Sequence, residues 1–208
     1  MKDVQRLFIA IELNQEIRQN LAKVAYPFHE NGIKWVDAEN IHLTLKFLGD
    51  IPTRDIRSIT DALTSSISNT PPFEISVKGT GCFPNPRQAR VLWAGLVYPE
   101  NLSNLQHNID ESLLRLGIPA EKRPFSPHLT LARVVEGINE SIASKAYQHL
   151  LRYQNNTFGK IVVEHVTLFN STLTREGSIY RAMVRVPLQK NLRAILLSNK
   201  TEVSSESS

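Results

Sequence analysis

The tetrapeptide His-Leu-Thr-Leu occurs twice, at His42 to Leu45 within NIHLTLKFLGD and at His128 to Leu131 within RPFSPHLTLARV. No other feature constrains the fold as much. Each copy alternates polar and apolar residues, the period of a β-strand, whose successive side chains point to opposite faces. In the first copy His42, Thr44 and Lys46 share one face while Leu43, Leu45 and Phe47 share the other; in the second, His128 and Thr130 oppose Leu129 and Leu131. The leucines require a core, and the polar faces require solvent or a cleft. Two such strands, nearly half a chain apart, fit two walls turned toward one shared space.

The surrounding pattern fits this picture. RLFIAIEL, from Arg6, is a dense apolar run that reads as a buried strand. Asn14 can cap a helix through Ile17, Leu21, Val24 and Ala25, and Thr53 a second through Ile56, Ile59, Leu63 and Ile67. PPFEISVKGTG and RVLWAGLVY read as strands on either side of the Pro-rich loop CFPNPRQAR. A third helix runs through Leu102, Leu105, Ile109, Leu113 and Leu114 and stops at Gly117; a fourth covers NESIASKAYQHLLRY. GKIVVEHVTLFNSTL and IYRAMVRVPLQ read as the last strands. One HLTL strand in each half predicts an α+β fold of two related lobes, each with its own sheet. A doubly wound parallel sheet is the alternative. The expected unit is residues 1–189, and the polar, aperiodic residues 190–208 read as a disordered tail.

Composition narrows the function classes. The 208 residues are 41% hydrophobic and 21% charged, as in ordinary soluble globular proteins. No run approaches the roughly 18 apolar residues that a membrane span needs. The N-terminal apolar run is interrupted by Glu12 and lacks a small-residue cleavage site, so it reads as a strand and not as a signal peptide. Cys82 is the only cysteine, which rules out an intrachain disulfide and cysteine-rich zinc sites and points to a reducing compartment. A net charge of +4 and a pI of about 9.3 suit a polyanionic partner without requiring one.

Two imidazoles and two hydroxyls facing one groove suit phosphoryl chemistry. A neutral imidazole can take a proton from an attacking water and a protonated one can give a proton to a leaving alkoxide. In-line displacement places those two events on opposite sides of phosphorus. The hydroxyls can donate to the non-bridging oxygens as charge builds. A metal site would need a third ligand, and His29, His107, His149 and His165 offer none with matching spacing. His107 and His149 read as solvated helix residues, and His165, in HVTL, as structural.

RLFIAIEL, NIHLTLKFLGDI, GCFPNPRQARVLWAGL and RPFSPHLTLARV closely resemble the LigT-like RNA 2′,3′-cyclic phosphodiesterases of the two-histidine phosphoesterase superfamily, defined by a pair of His-x-Thr/Ser-x motifs. The resemblance runs from about Arg6 to Pro187. It implies a bilobal α+β molecule: two antiparallel-type sheets related by a pseudo-two-fold around a central cleft, with helices on the outer faces. It also implies hydrolysis of ribonucleoside 2′,3′-cyclic phosphate ends to 2′-phosphates, without metal or cofactor. His42 would be the general acid toward O3′ and His128 the general base for water. Thr44 and Thr130 would bind the phosphate. Lys46, with the right strand parity, and Arg133, which matches a phosphate-contacting family position, would join them. Arg133 can reach the site only if the strand ends or bulges near Ala132.

Phe125 is a candidate base-stacking platform, with core packing as the alternative; Arg6, Arg87 and Arg90 are candidate RNA-backbone contacts. The expected partner is RNA with a 2′,3′-cyclic phosphate end, tRNA fragments among such ends, met by a cytoplasmic monomer with no membrane association. Sealing of 2′-5′ linkages is the same chemistry in reverse. The competing functions are action on 2′-5′ oligoadenylates or nucleotide-sugar cyclic phosphates, and non-catalytic RNA-end binding. Intact His and Thr in both motifs argue against the last.

Overall fold

A computed structural model describes residues 3–25, 27–174 and 177–189. The expected disordered tail, 190–208, lies outside the described residues. In chain order the elements are β1 (Val4–Glu12), α1 (Gln15–Ala25), β2 (Ile33–Trp35), β3 (His42–Pro52), α2 (Ile56–Ile67), β4 (Phe73–Phe83), β5 (Val91–Val97), α3 (Glu100–Leu114), β6 (Leu129–Val134), α4 (Glu140–Leu151), β7 (Thr157–Val163), β8 (His165–Leu173) and β9 (Ser178–Pro187). The Asn14 cap forms: its Oδ1 accepts from the Ile17 amide at 2.9 Å. Thr53 does not cap its helix. Its amide and hydroxyl both donate to the Asp3 carbonyl, and α2 starts after a short turn at Thr53–Asp55. Beyond α3, Gly117 takes the left-handed backbone, φ +81°, that ends the turn.

The strands form one sheet in the order β7-β4-β5-β6-β3-β1-β8-β9, with β2 added on β6. Every pairing among the described residues is antiparallel, which excludes the doubly wound alternative. The α+β class with helices outside holds, but the two expected sheets are a single one. They join where the motif strands meet, at one residue pair, Leu43 opposite Leu129.

Nor are the two walls the two halves of the sequence. Helices α2 and α3 pack on the β3-β1-β8-β9 side, and α1 and α4 on the side carrying β4 and β7. The segment 159–173, read as one strand, breaks at exposed Glu164, whose carbonyl accepts from Leu188. Before the break β7 pairs with β4; after it β8 pairs with β1. The chain therefore returns to the first wall to finish the fold.

Strand β1 shows why its sequence is almost wholly apolar. Leu7, Ile9 and Ile11 face the main core under the helices. Phe8 and Ala10 face the other way, in a small cluster with Phe169 that Tyr180 and Ala182 cover. A strand buried on both faces reads as a continuous hydrophobic run. That second, aromatic face is one wall of the cleft.

Candidate active site

Leu43 and Leu129 are fully buried and adjacent at the junction of β3 and β6. That junction brings His42 and Thr44 of the first motif beside His128 and Thr130 of the second. All four side chains line one cleft of about 320 Å³, the scale of a small-ligand site. The leucines hold the strand floors together and so set the spacing of the polar groups above them.

Both rings are anchored in the same way. His42 Nδ1 lies 2.7 Å from the Asn40 carbonyl, and His128 Nδ1 lies 2.7 Å from the Ser126 carbonyl. A carbonyl only accepts, so Nδ1 carries the hydrogen in each ring. Nε2 is then left as the nitrogen available to the cleft, able to accept when the ring is neutral and to donate when it is charged. The Asn40 turn is itself tied down, since Arg18 on α1 is ion-paired with Glu39.

Each motif strand carries a bulge at the same place. On β3 the register with β1 skips Leu45, and on β6 the register with β5 skips Leu131. An extra residue reverses the parity of everything after it. This has opposite consequences for two expected phosphate ligands. Arg133 is turned onto the cleft and lines it, as the bulge condition required. Lys46 is turned away: it is 1% exposed, its Nζ is 2.5 Å from Asp110 on α3 and donates to the Pro119 carbonyl at 2.7 Å, and it does not line the cleft. The expectation that Lys46 binds phosphate is therefore corrected. Strict alternation was extended one residue too far. Phe47 takes the cleft position instead, 59% exposed and against Phe8.

The remaining candidates separate. Arg6 lines the cleft. Phe125 does not; it packs against the main core, the alternative reading of that residue. Arg87 and Arg90 line a different concavity, shared with Glu136 and Glu140, and Arg90 lies 3.8 Å from Glu136. His149 is not a solvated helix residue. It is buried, with Nε2 2.7 Å from the Val24 carbonyl and its ring stacked on Phe28, and it joins α4 to α1. His165 and Thr167 both hydrogen-bond Glu12, at 3.1 and 2.7 Å. Arg185 clamps the same carboxylate with two bonds, which, with Thr167 and His165 and against partial burial, holds it down at about 2. That third His-x-Thr ties β8 and β9 to β1, outside the cleft that His42 and His128 line.

The two imidazoles sit in unlike surroundings. His42 is enclosed by Phe8 at 4.8 Å and Tyr180 edge-on at 5.2 Å, with Phe169 beyond. This burial lowers its pKa; the hydrogen bond to the Asn40 carbonyl opposes the shift, and the charges of Arg18 and Arg133 add to it. His128 meets one ring among the described residues, Phe83, edge-on at 5.0 Å. Trp93, whose ring lies tilted against Phe83, fits over Gly81, where a Cβ would lie 2.3 Å from the indole. Phe8, Tyr180 and Phe47 are the site residues that strand parity did not find. The signal for Phe47 was present, because it follows His42 by the interval at which Arg133 follows His128.

A family model described as LigT like Phosphoesterase matches residues 11–93 and 97–180. The chain belongs to the LigT-like phosphoesterases. Within this enzyme family it is similar to the RNA 2′,3′-cyclic phosphodiesterase of Methanothermobacter thermautotrophicus, 36% identical over 180 residues and covering 86% of this chain and 96% of the relative. The protein of the same name from Methanocaldococcus jannaschii is 38% identical over 178 residues, covering 86% and 98%. Among solved structures, Escherichia coli LigT complexed with 3′-AMP matches with a TM-score of 0.73 at 27% identity, over 90% of this chain and 99% of that one. A Thermus thermophilus protein matches with a TM-score of 0.74 at 28% identity, over 89% and 99%.

Proposed function

We propose that this LigT-like phosphoesterase hydrolyses RNA 2′,3′-cyclic phosphate ends to 2′-phosphates. The observation that carries the reading is the matched pair of imidazoles, each fixed through Nδ1 and presenting Nε2 to a cleft that holds Thr44, Thr130 and Arg133 and, among the described residues, no carboxylate. Such a lining favours an anion and supplies one proton acceptor and one proton donor. The names of the relatives and the 3′-AMP bound by the E. coli protein are consistent with a nucleotide phosphate there.

In the proposed step a water oxygen attacks phosphorus while His128 Nε2 takes its proton. The P–O3′ bond breaks in line, and His42 Nε2–H protonates O3′, leaving a 2′-phosphate and a 3′-hydroxyl. Thr44, Thr130 and Arg133 donate to the non-bridging oxygens. The environments favour this order. The nucleophile arrives from solvent, on the side of the more open His128. His42, enclosed by Phe8 and Tyr180, is left to the side from which the ribose oxygen departs. Run backward, the same groups would join a 5′-hydroxyl to a cyclic end as a 2′-5′ linkage. Every group named comes from one chain, so the reading takes a monomer as the acting unit.

The test is turnover of an oligoribonucleotide bearing a 2′,3′-cyclic phosphate, with the product phosphate assigned to the 2′ or 3′ position. A 2′-phosphate at a rate unaffected by EDTA is expected. A 3′-phosphate would reverse the leaving group. Faster turnover of 2′-5′ oligoadenylates or nucleotide-sugar cyclic phosphates would move the protein to those substrates. Tight binding of the intact end without turnover would make it an end-binding protein.

A further inference from the structure

Beyond the catalytic residues the cleft is lopsided. The β6 side supplies little more than His128, Thr130 and Arg133, whereas β1, β3, β8 and β9 extend the lining through Arg6, Phe47, Ser171, Leu173 and Tyr180. A substrate whose phosphate sits between the two imidazoles must lay its remainder over this larger wall. Phe47 and Leu173 give that wall exposed apolar surface, at 59% and 64%. Among the described residues, its one permanent cation is Arg6.

The cleft holds two guanidinium groups, Arg133 and Arg6, and neither makes an ion pair among the described residues. Asp50, which faces Arg6 across the β1–β3 ladder, is exposed and does not engage it. Arg87 and Arg90, by contrast, share their concavity with two glutamates. Arg6 lies on the same face of β1 as Phe8 and Ala10, and Ala10 is opposite Thr44. Arg6 is four residue steps from that point, roughly 13 Å of backbone at about 3.3 Å per residue. That spacing sets Arg6 apart from Thr44, toward the far end of the same cleft.

We propose that Arg6 binds the phosphodiester on the 5′ side of the terminal nucleotide, so that the enzyme selects an oligonucleotide end over a free nucleoside 2′,3′-cyclic phosphate. This rests on the function proposed above. The terminal base lies toward Phe47, and the chain leaves past Arg6 toward the β8–β9 hairpin. A guanidinium suits this role because its fork matches two phosphate oxygens.

The test compares kcat/KM for adenosine 2′,3′-cyclic phosphate and for an adenosine dinucleotide ending in the same group. The wild-type protein is expected to favour the dinucleotide, through KM. Arg6→Ala is expected to reduce the dinucleotide-to-mononucleotide ratio about tenfold and to lower the salt dependence of dinucleotide binding by about one phosphate contact. Arg6→Lys is expected to keep that salt dependence and recover part of the ratio. Equal wild-type efficiency on both substrates overturns the subsite, as does an Arg6→Ala variant whose ratio is unchanged. A shifted ratio in Arg87→Ala with none in Arg6→Ala places the chain over the other wall and also overturns it. Folded wild-type protein inert to both substrates would instead remove the cyclic phosphodiesterase reading itself.

Discussion

The two copies of HLTL share a backbone and differ in what that backbone delivers. In both, the ring is anchored by the carbonyl two residues before it, buried leucines hold the strand, and a bulge follows Thr by one residue. After the bulge the first copy buries Lys46 and exposes Phe47, whereas the second buries Ala132 and exposes Arg133. The first imidazole lies among several aromatic rings, and the second meets Phe83 edge-on. The repeated part fixes where the two imidazoles stand. The divergent part gives one wall an exposed aromatic ring, Phe47, and the other a cation, Arg133, which the proposed function reads as a nucleoside contact and a phosphate contact. A duplicated motif can thus keep its geometry while its neighbours divide the work.

Removing either ring is expected to have the largest effect. His42→Ala and His128→Ala are each expected to lower kcat about 10³-fold, with the circular dichroism spectrum unchanged. The double variant is expected to be little worse than either single one, because the rings act in one step. If one single variant kept near-normal turnover, the two copies would not be equal partners in catalysis. Next come the residues after the bulges. Arg133→Ala is expected to reduce kcat about 10²-fold, as for loss of a donor to developing charge. Phe47→Ala is expected to act on KM, about tenfold, as for one lost base-stacking contact. Effects of the same kind from both would erase the proposed division between phosphate wall and nucleoside wall.

Much of this was legible in the sequence because alternation and capping are local. The strand faces of His42, Thr44, His128 and Thr130 followed from period two, and Asn14 announced α1 by its cap. What escaped was set by pairing between distant strands. The bulge at Leu45 depends on the β1 register, so parity alone sent Lys46 to the cleft and Phe47 to the core. For Arg133 the family position conflicted with parity, and that conflict pointed to the bulge at Leu131. The break at Glu164 has the same origin. Nothing local in VVEHVTLF says that its two halves join opposite walls; that depends on which edges β4 and β1 leave open. His149 looked solvated because its partner, the Val24 carbonyl, lies on another helix.

Lys46 makes the two copies differ in stability as well. Its ion pair with Asp110 and its bond to Pro119 join the first motif strand to α3 and to the connection that leads toward the second motif. Ala132, at the same place in the second copy, has no side-chain polar group to make such a link. Lys46→Met strands a half-buried carboxylate and is expected to cost about 2 kcal/mol in denaturant unfolding, the low side for a broken buried pair because Asp110 keeps some access to water. Lys46→Met with Asp110→Leu is expected to recover most of that loss. If the double variant stayed as unstable as the single one, the strut would be packing and not charge.

The smallest expected effect tests the difference between the rings directly. Enclosure by Phe8 and Tyr180 lowers the His42 pKa below its ordinary 6.5. The charged ring is therefore disfavoured by the fold. The His42 contribution to stability is intact above pH 6.5 and declines as pH falls toward the lowered value. As the proposed acid, His42 must be protonated to act, so the alkaline limb of kcat/KM that it sets lies below pH 6.5. Tyr180→Ala admits water to one face of the ring and is expected to move both the NMR titration midpoint of His42 and that limb upward, back toward the ordinary value. If the midpoint moved while the limb stayed, His42 would not be the acid of the pair, and the roles of the two rings would exchange while their geometry stayed as it is.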